Sequence, residues 1–258
     1  MKFEDKVSQL RIKKHKGRET KEFLHDVIRM AKGEPLEYLL GEVKFCDAVI
    51  DLSLKPMIPR EETEYWAKTA IAEIADNRQQ ITDLREKAKP FRALDLFSGS
   101  GNVGIALLKN INDIKVEMIE FDKSFKKQIE ISLIKNKIEM DRAKVMTGDV
   151  FEGASGPYDV ITAVPPYVPP QMKDEVMKEL KGEKELSFFD KEDGYYYHKQ
   201  VLSRAKEFLK DGGVLYLEFD ITQKEKIEQL AKEYNLTKYR FLFDPYNHDF
   251  VFVYLNSN

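Results

Sequence analysis

Residues 94–108, LDLFSGSGNVGIALL, set Gly99, Gly101 and Gly104 in a Gly-x-Gly-x-x-Gly spacing between a strand pattern and a helix-length segment. Glycines at such a junction let backbone approach a nucleotide-like ligand, but alone the spacing is only the general dinucleotide fingerprint. Asp95 narrows it. A carboxylate at the strand end, four residues before the first glycine, is where nicotinamide-binding folds usually carry an apolar residue. Beside a cationic ligand group it is sensible electrostatics. Two further strand patterns end in acids. Glu120, with Asp122 as its nearby competitor, stands where a carboxylate accepts two ribose hydroxyls in such folds, and Asp149 ends the pattern after that. One such acid is commonly a cap or turn residue. Three in succession beside a glycine loop form a ligand site.

A second stretch, TAVPPYVPP at 162–170, runs a strand rich in β-branched residues into a proline-stiffened turn that ends on an aromatic ring. The elements that must position both stretches follow from periodicity. From residue 92, RALDLF, IKVEMIEF, AKVMTGDVF, YDVITAV and GVLYLEF are apolar strands separated by helix-length segments, and YRFLF and FVFVYL flank the turn-rich DPYNHD. That alternation predicts an α/β fold with a doubly wound, mostly parallel seven-stranded sheet whose last strand is antiparallel. Residues 1–40 predict a small helical region, 41–76 a strand pair and a proline-led linker helix, and 77–258 the main domain.

Composition limits the function. The chain has 258 residues, 42 Lys and Arg against 45 Asp and Glu, and a formal net charge of −3, which argues against a general nucleic-acid binder. The basic run RIKKHKGR at 11–18 is of a kind that can meet RNA or an acidic partner protein, but more often such a run is a solvated helix face. Cys46 is the only cysteine and reads as a reduced core thiol, the four histidines lack ligand spacing, and no metal is expected. No apolar run approaches the ~20 residues of a membrane span and the charged start is unlike a signal peptide, so the expected location is the cytoplasm.

The Asp-x-x-x-Gly-x-Gly stretch resembles the cofactor loop of class I, Rossmann-like methyltransferases, and VPPY at 164–167 resembles their Asn-Pro-Pro-Tyr motif. GEPLEYLLGEVKF (33–45), IPREETE (58–64) and the stretch from EDGYYYHK to LYLEF (192–219) resemble, in matching order, segments of the HemK-type glutamine N5-methyltransferases of peptide release factors. The helical region at the start is shorter than that likeness leads one to expect. The resemblance implies that S-adenosylmethionine binds through Asp95, Phe97, Gly99, Ser100, Gly101, Asn102, Glu120, Phe121, Asp149 and Val150, with S-adenosylhomocysteine as product. It implies a release factor as protein partner, with Val164, Pro165, Pro166 and Tyr167 as the catalytic motif and Arg60 shaping the substrate entrance. A structural ion pair is an equal reading of Arg60.

In the family, the motif's asparagine oxygen and the first proline's carbonyl accept the two hydrogens of the substrate amide. Val164 stands where that asparagine would be and cannot accept. A missing hydrogen bond in a dry site costs roughly 1 to 3 kcal/mol. Three readings stay open: another polar group takes over, the enzyme is slow, or the chain is an inactive cofactor-binding module. A nucleic-acid amino methyltransferase acting on N6-adenine or N2-guanine is the rival assignment, and the acidic charge counts against it.

Overall fold

The computed structural model describes residues 1–80, 89–179, 183 and 185–257. Parts of the expected main domain, 81–88, 180–182, 184 and 258, lie outside them. Seven strands form the principal sheet: β3 (Phe91–Leu96), β4 (Ile114–Glu120), β5 (Ala143–Thr147), β6 (Tyr158–Ala163), β7 (Leu209–Glu218), β8 (Tyr239–Phe243) and β9 (Asp249–Leu255). Their spatial order is β5-β4-β3-β6-β7-β9-β8, parallel through the first five, with β9 antiparallel to both its neighbours. The expected antiparallel last strand is therefore β9, paired to β8 across the DPYNHD turn. The central strands are almost wholly buried, as a sheet covered on both faces requires.

The order reverses between β3 and β6, which lie side by side although β4 and β5 intervene in sequence. At such a switch point the connections leave in opposite directions and open a crevice at the carboxyl ends of the strands. Helix α4 (Glu61–Gln80), α5 (Asn102–Asn110) and α6 (Lys123–Lys135) pack with one face, whereas α8 (Tyr196–Phe208) and α9 (Lys224–Glu233) pack with the other, giving two cores separated by the sheet. Between these sets, the short α7 (Lys173–Glu179) follows the Pro-Pro-Tyr turn.

Before the sheet, α1 (Phe3–Lys13), α2 (Lys21–Ala31) and α3 (Leu36–Leu40) close around Leu10, Phe23, Met30, Leu36 and Leu39. Part of the basic run is structural here. Lys14 and His15 reach the buried carboxylate of Asp26, at 2.7 and 3.0 Å.

The hairpin of β1 (Glu42–Phe45) and β2 (Ala48–Asp51) is not a free linker. An unpaired strand edge must find partners for its backbone groups, and α6 supplies them from side chains four residues apart on one face. The amide of Val49 donates to Asn136 Oδ1 (2.8 Å) and that of Asp51 to Ser132 Oγ (2.9 Å), while Gln128 Nε2 donates to the Asp51 carbonyl (2.7 Å). Phe45, Ile50 and Leu52 also join the core under the sheet. Helix α4 continues past the expected boundary at 77 to Gln80, so that boundary falls inside a helix. Cys46 is buried, and burial pushes its thiol up to about 12.

Candidate active site

A cleft with about 960 Å³ of free space, mouth included, opens at the carboxyl ends of β3, β4, β5 and β6. It is lined by Asp95, Phe97, Gly99, Ser100, Asn102, Glu120, Phe121, Asp149 and Val150, and on its other side by Arg60, Val164 and Pro166. The expected cofactor loop, strand-end acids and substrate turn are thus brought to one cavity.

Gly101 is the exception among the loop residues. It adopts a left-handed φ of +79°, and a Cβ there would stand 3.0 Å from Ile105 and Ile129 side-chain carbons. The turn and the close packing beneath the loop both require glycine there, and Gly101 is not among the residues that line the cleft. Pro165, which is buried, and Tyr167 are not among the residues that line the cleft.

Asp95 is 2% exposed. Its Oδ1 accepts from the Thr162 hydroxyl (2.8 Å) on the neighbouring strand and its Oδ2 from the Gly104 amide (3.2 Å). Burial nevertheless dominates and pushes the acid up to about 7. A cation arriving at this carboxylate would favour the ionised form. Glu120 uses both oxygens on backbone, Oε2 accepting from Gly99 (2.7 Å) and Oε1 from Asp122 (2.8 Å), and burial raises its pKa as well. Each oxygen keeps a lone pair for a further donor. Asp122, the competitor, caps α6 by accepting from the Ser124 amide at 2.9 Å.

Asp149 has a partner that its local sequence does not announce: Lys191 Nζ lies 2.9 Å from its Oδ2 and sits over the rings of Tyr196 and Tyr197 at 4.9 and 5.2 Å. Arg60 pairs with Glu183 (2.8 Å), whose other oxygen accepts from the Ile58 amide (3.0 Å). Of its two readings the ion pair is the one the geometry displays, and Arg60 lines the cleft at the same time.

The Pro-Pro-Tyr turn is held from outside. Val168 and the residues around Phe189 exchange backbone bonds, Val168 donating to the Phe188 carbonyl (2.9 Å) and Asp190 to the Val168 carbonyl (2.9 Å). The Asp190 carboxylate in turn accepts from the Gly194 amide (2.8 Å). Gly194 passes so close under the turn that a Cβ would stand 2.9 Å from the Tyr167 carbonyl oxygen.

Behind the turn lies an acid outside the expected set. Glu218, 3% exposed at the end of β7, accepts from Thr63 Oγ1 (2.8 Å) and Trp66 Nε1 (2.7 Å), and its carbonyl accepts from His198 Nε2 (3.0 Å). Burial pushes its carboxyl up to about 7 and holds His198 down at about 4, so that imidazole is neutral. Glu218 ends a strand exactly as the cofactor acids do, and that signal was there to be read. Among the described residues, no group of three or more His, Cys, Asp or Glu side chains has metal-binding geometry, and no helix is long and apolar enough to cross a membrane.

Known proteins share this organisation. Residues 80–183 match the family model described as the methyltransferase small domain. A release factor glutamine methyltransferase of Streptococcus pneumoniae is 26% identical over 220 residues, 84% of this chain and 73% of that protein. One of Bacteroides thetaiotaomicron is 31% identical over 202 residues, 75% of this chain and 66% of that protein, a little under two thirds of its length. The human methyltransferase 10 domain containing protein superposes with a TM-score of 0.58 over 82% of this chain and 90% of its own at 14% identity, a likeness of fold alone. The chain is a class I, S-adenosylmethionine-dependent methyltransferase and belongs to the family of the release factor glutamine methyltransferases.

Proposed function

We propose that this protein methylates the side-chain amide nitrogen of the glutamine in the Gly-Gly-Gln loop of a peptide chain release factor, in the cytoplasm. One observation carries the reading: the cleft that gathers Asp95, Gly99, Glu120 and Asp149 continues without a break to Val164 and Pro166 of the turn that resembles the substrate motif. When bound, S-adenosylmethionine supplies an electrophilic methyl group on a sulfonium. Asp95 would face its cationic end, Glu120 would accept the ribose hydroxyls, and Asp149 with the backbone of Val150 would meet the adenine.

The chain's own task is positioning, because the lone pair of an amide nitrogen is delocalised into its carbonyl. By its resemblance to the family motif, the Pro165 carbonyl would accept one amide hydrogen, while Val164 and Pro166 line the cleft. Transfer would form one nitrogen–carbon bond for the carbon–sulfur bond broken, leaving the electron pair on sulfur and releasing the surplus amide proton to water. The helical region and the β1–β2 hairpin are the expected docking surface for the protein substrate. Sequence likeness to release factor glutamine methyltransferases over most of the chain supports this substrate.

Incubation with radiolabelled S-adenosylmethionine and a release factor, with duplex DNA and RNA hairpins in parallel, tests the proposal. Label on the release factor, lost when its glutamine is replaced, is expected. Label on nucleic acid instead, or on neither, would overturn it.

A further inference from the structure

We infer that Thr63 supplies the hydrogen-bond acceptor that Val164 cannot, and that Glu218 is the positioning residue that makes it available. The inference rests on the glutamine-amide reading and deepens it. Thr63 stands in the first turn of α4, is only 4% exposed, and lines the cleft together with Val164 and Pro166. Strand register brings the pieces together. Ala163, the last residue of β6, pairs with Leu217 in the parallel β6–β7 ladder, so the chain leaves β6 at Val164 beside Glu218, the last residue of β7. The Thr63 hydroxyl donates to Glu218 Oε2 at 2.8 Å.

A hydroxyl has one hydrogen and two lone pairs. An untethered threonine at the wall could offer either to the substrate. With its hydrogen committed to Glu218, this one presents lone pairs, and an amide N–H needs a lone pair. In its ionised form the Glu218 carboxylate can only accept, so Thr63 and Trp66 Nε1, which also points at Oε2 at 2.7 Å, are both its donors.

The test is single-turnover methylation of a release factor at saturating S-adenosylmethionine, with cofactor affinity measured separately by calorimetry. Thr63→Val should slow methyl transfer about ten- to a hundredfold, the loss expected for one orienting hydrogen bond in a dry site, with cofactor affinity unchanged. Thr63→Ser, which keeps the hydroxyl, should retain most of the rate. Val164→Asn should raise the rate more in the Thr63→Val background than in the wild type, since the two side chains would serve the same hydrogen. A Thr63→Val variant as fast as the wild type, or a Thr63→Ser variant as slow as Thr63→Val, would overturn the inference while leaving the glutamine reading intact. A wild type that binds cofactor but never labels the release factor overturns the glutamine reading and this inference with it.

Discussion

The backbone amide of Gly99 donates to Glu120 Oε2 at 2.7 Å, joining the glycine loop after β3 to the acid at the end of β4. The two features that a sequence presents as separate ligand contacts are one mechanical unit. Glu120→Ala should therefore weaken S-adenosylmethionine and S-adenosylhomocysteine alike, by about 5- to 150-fold if one to two hydrogen bonds to the carboxylate are lost. Calorimetry on both ligands checks this. Equal binding by variant and wild type would transfer the ribose role to Asp122.

Asp95 predicts a pH dependence of binding. Its carboxyl is pushed up to about 7 by burial, and a sulfonium and ammonium nearby would lower it again, so binding expels a proton near neutrality. Affinity for S-adenosylmethionine should rise as pH goes from about 6 to about 8, more steeply than for S-adenosylhomocysteine, which lacks the sulfonium charge. Titrations in buffers of different ionisation enthalpy measure the proton directly. Equal slopes for both ligands would remove the sulfonium from the neighbourhood of Asp95.

Glu218 predicts a pH dependence of stability. Its folded-state value lies near 7 against an ordinary 4.5, so its contribution is full below the ordinary value and lost as pH rises through about 7. Glu218→Gln keeps an acceptor for Trp66 and Thr63 but cannot titrate. Between about pH 5 and 8 the wild type should lose more thermal stability than this variant. Parallel melting profiles would show that the carboxyl is not raised.

Asn136 predicts a purely structural cost. Its side chain accepts from the Val49 amide (2.8 Å) and donates to the Val49 carbonyl (2.7 Å), satisfying both groups of one residue on the hairpin edge. Asn136→Ala should destabilise the fold by about 1 to 3 kcal/mol, with earlier proteolysis around β1 and β2. A variant cut no faster than the wild type would mean that water replaces the amide without loss.

Local pattern determined much of this protein. The seven strands, the glycine loop and the acids at the ends of β3 and β4 follow from apolar runs ending in turn residues, because a strand end and the turn after it are set by neighbours in sequence. The family was legible for the same reason, through short motifs in order. What local pattern cannot carry is the identity of a side chain's partner. Thr63 and Glu218 are 155 residues apart, Asp149 and Lys191 are 42 apart, and β2 meets α6 across 81 residues between Asp51 and Ser132. Burial is likewise a tertiary property, and it is the main cause that moves Asp95 and Glu218 to about 7. Sequence therefore determined that Val164 lacks an acceptor. Only the packing of α4 against the end of β7 decided that a hydroxyl with its hydrogen already committed lines the same cleft, since desolvation and hydrogen-bond direction exist only once distant segments are folded together.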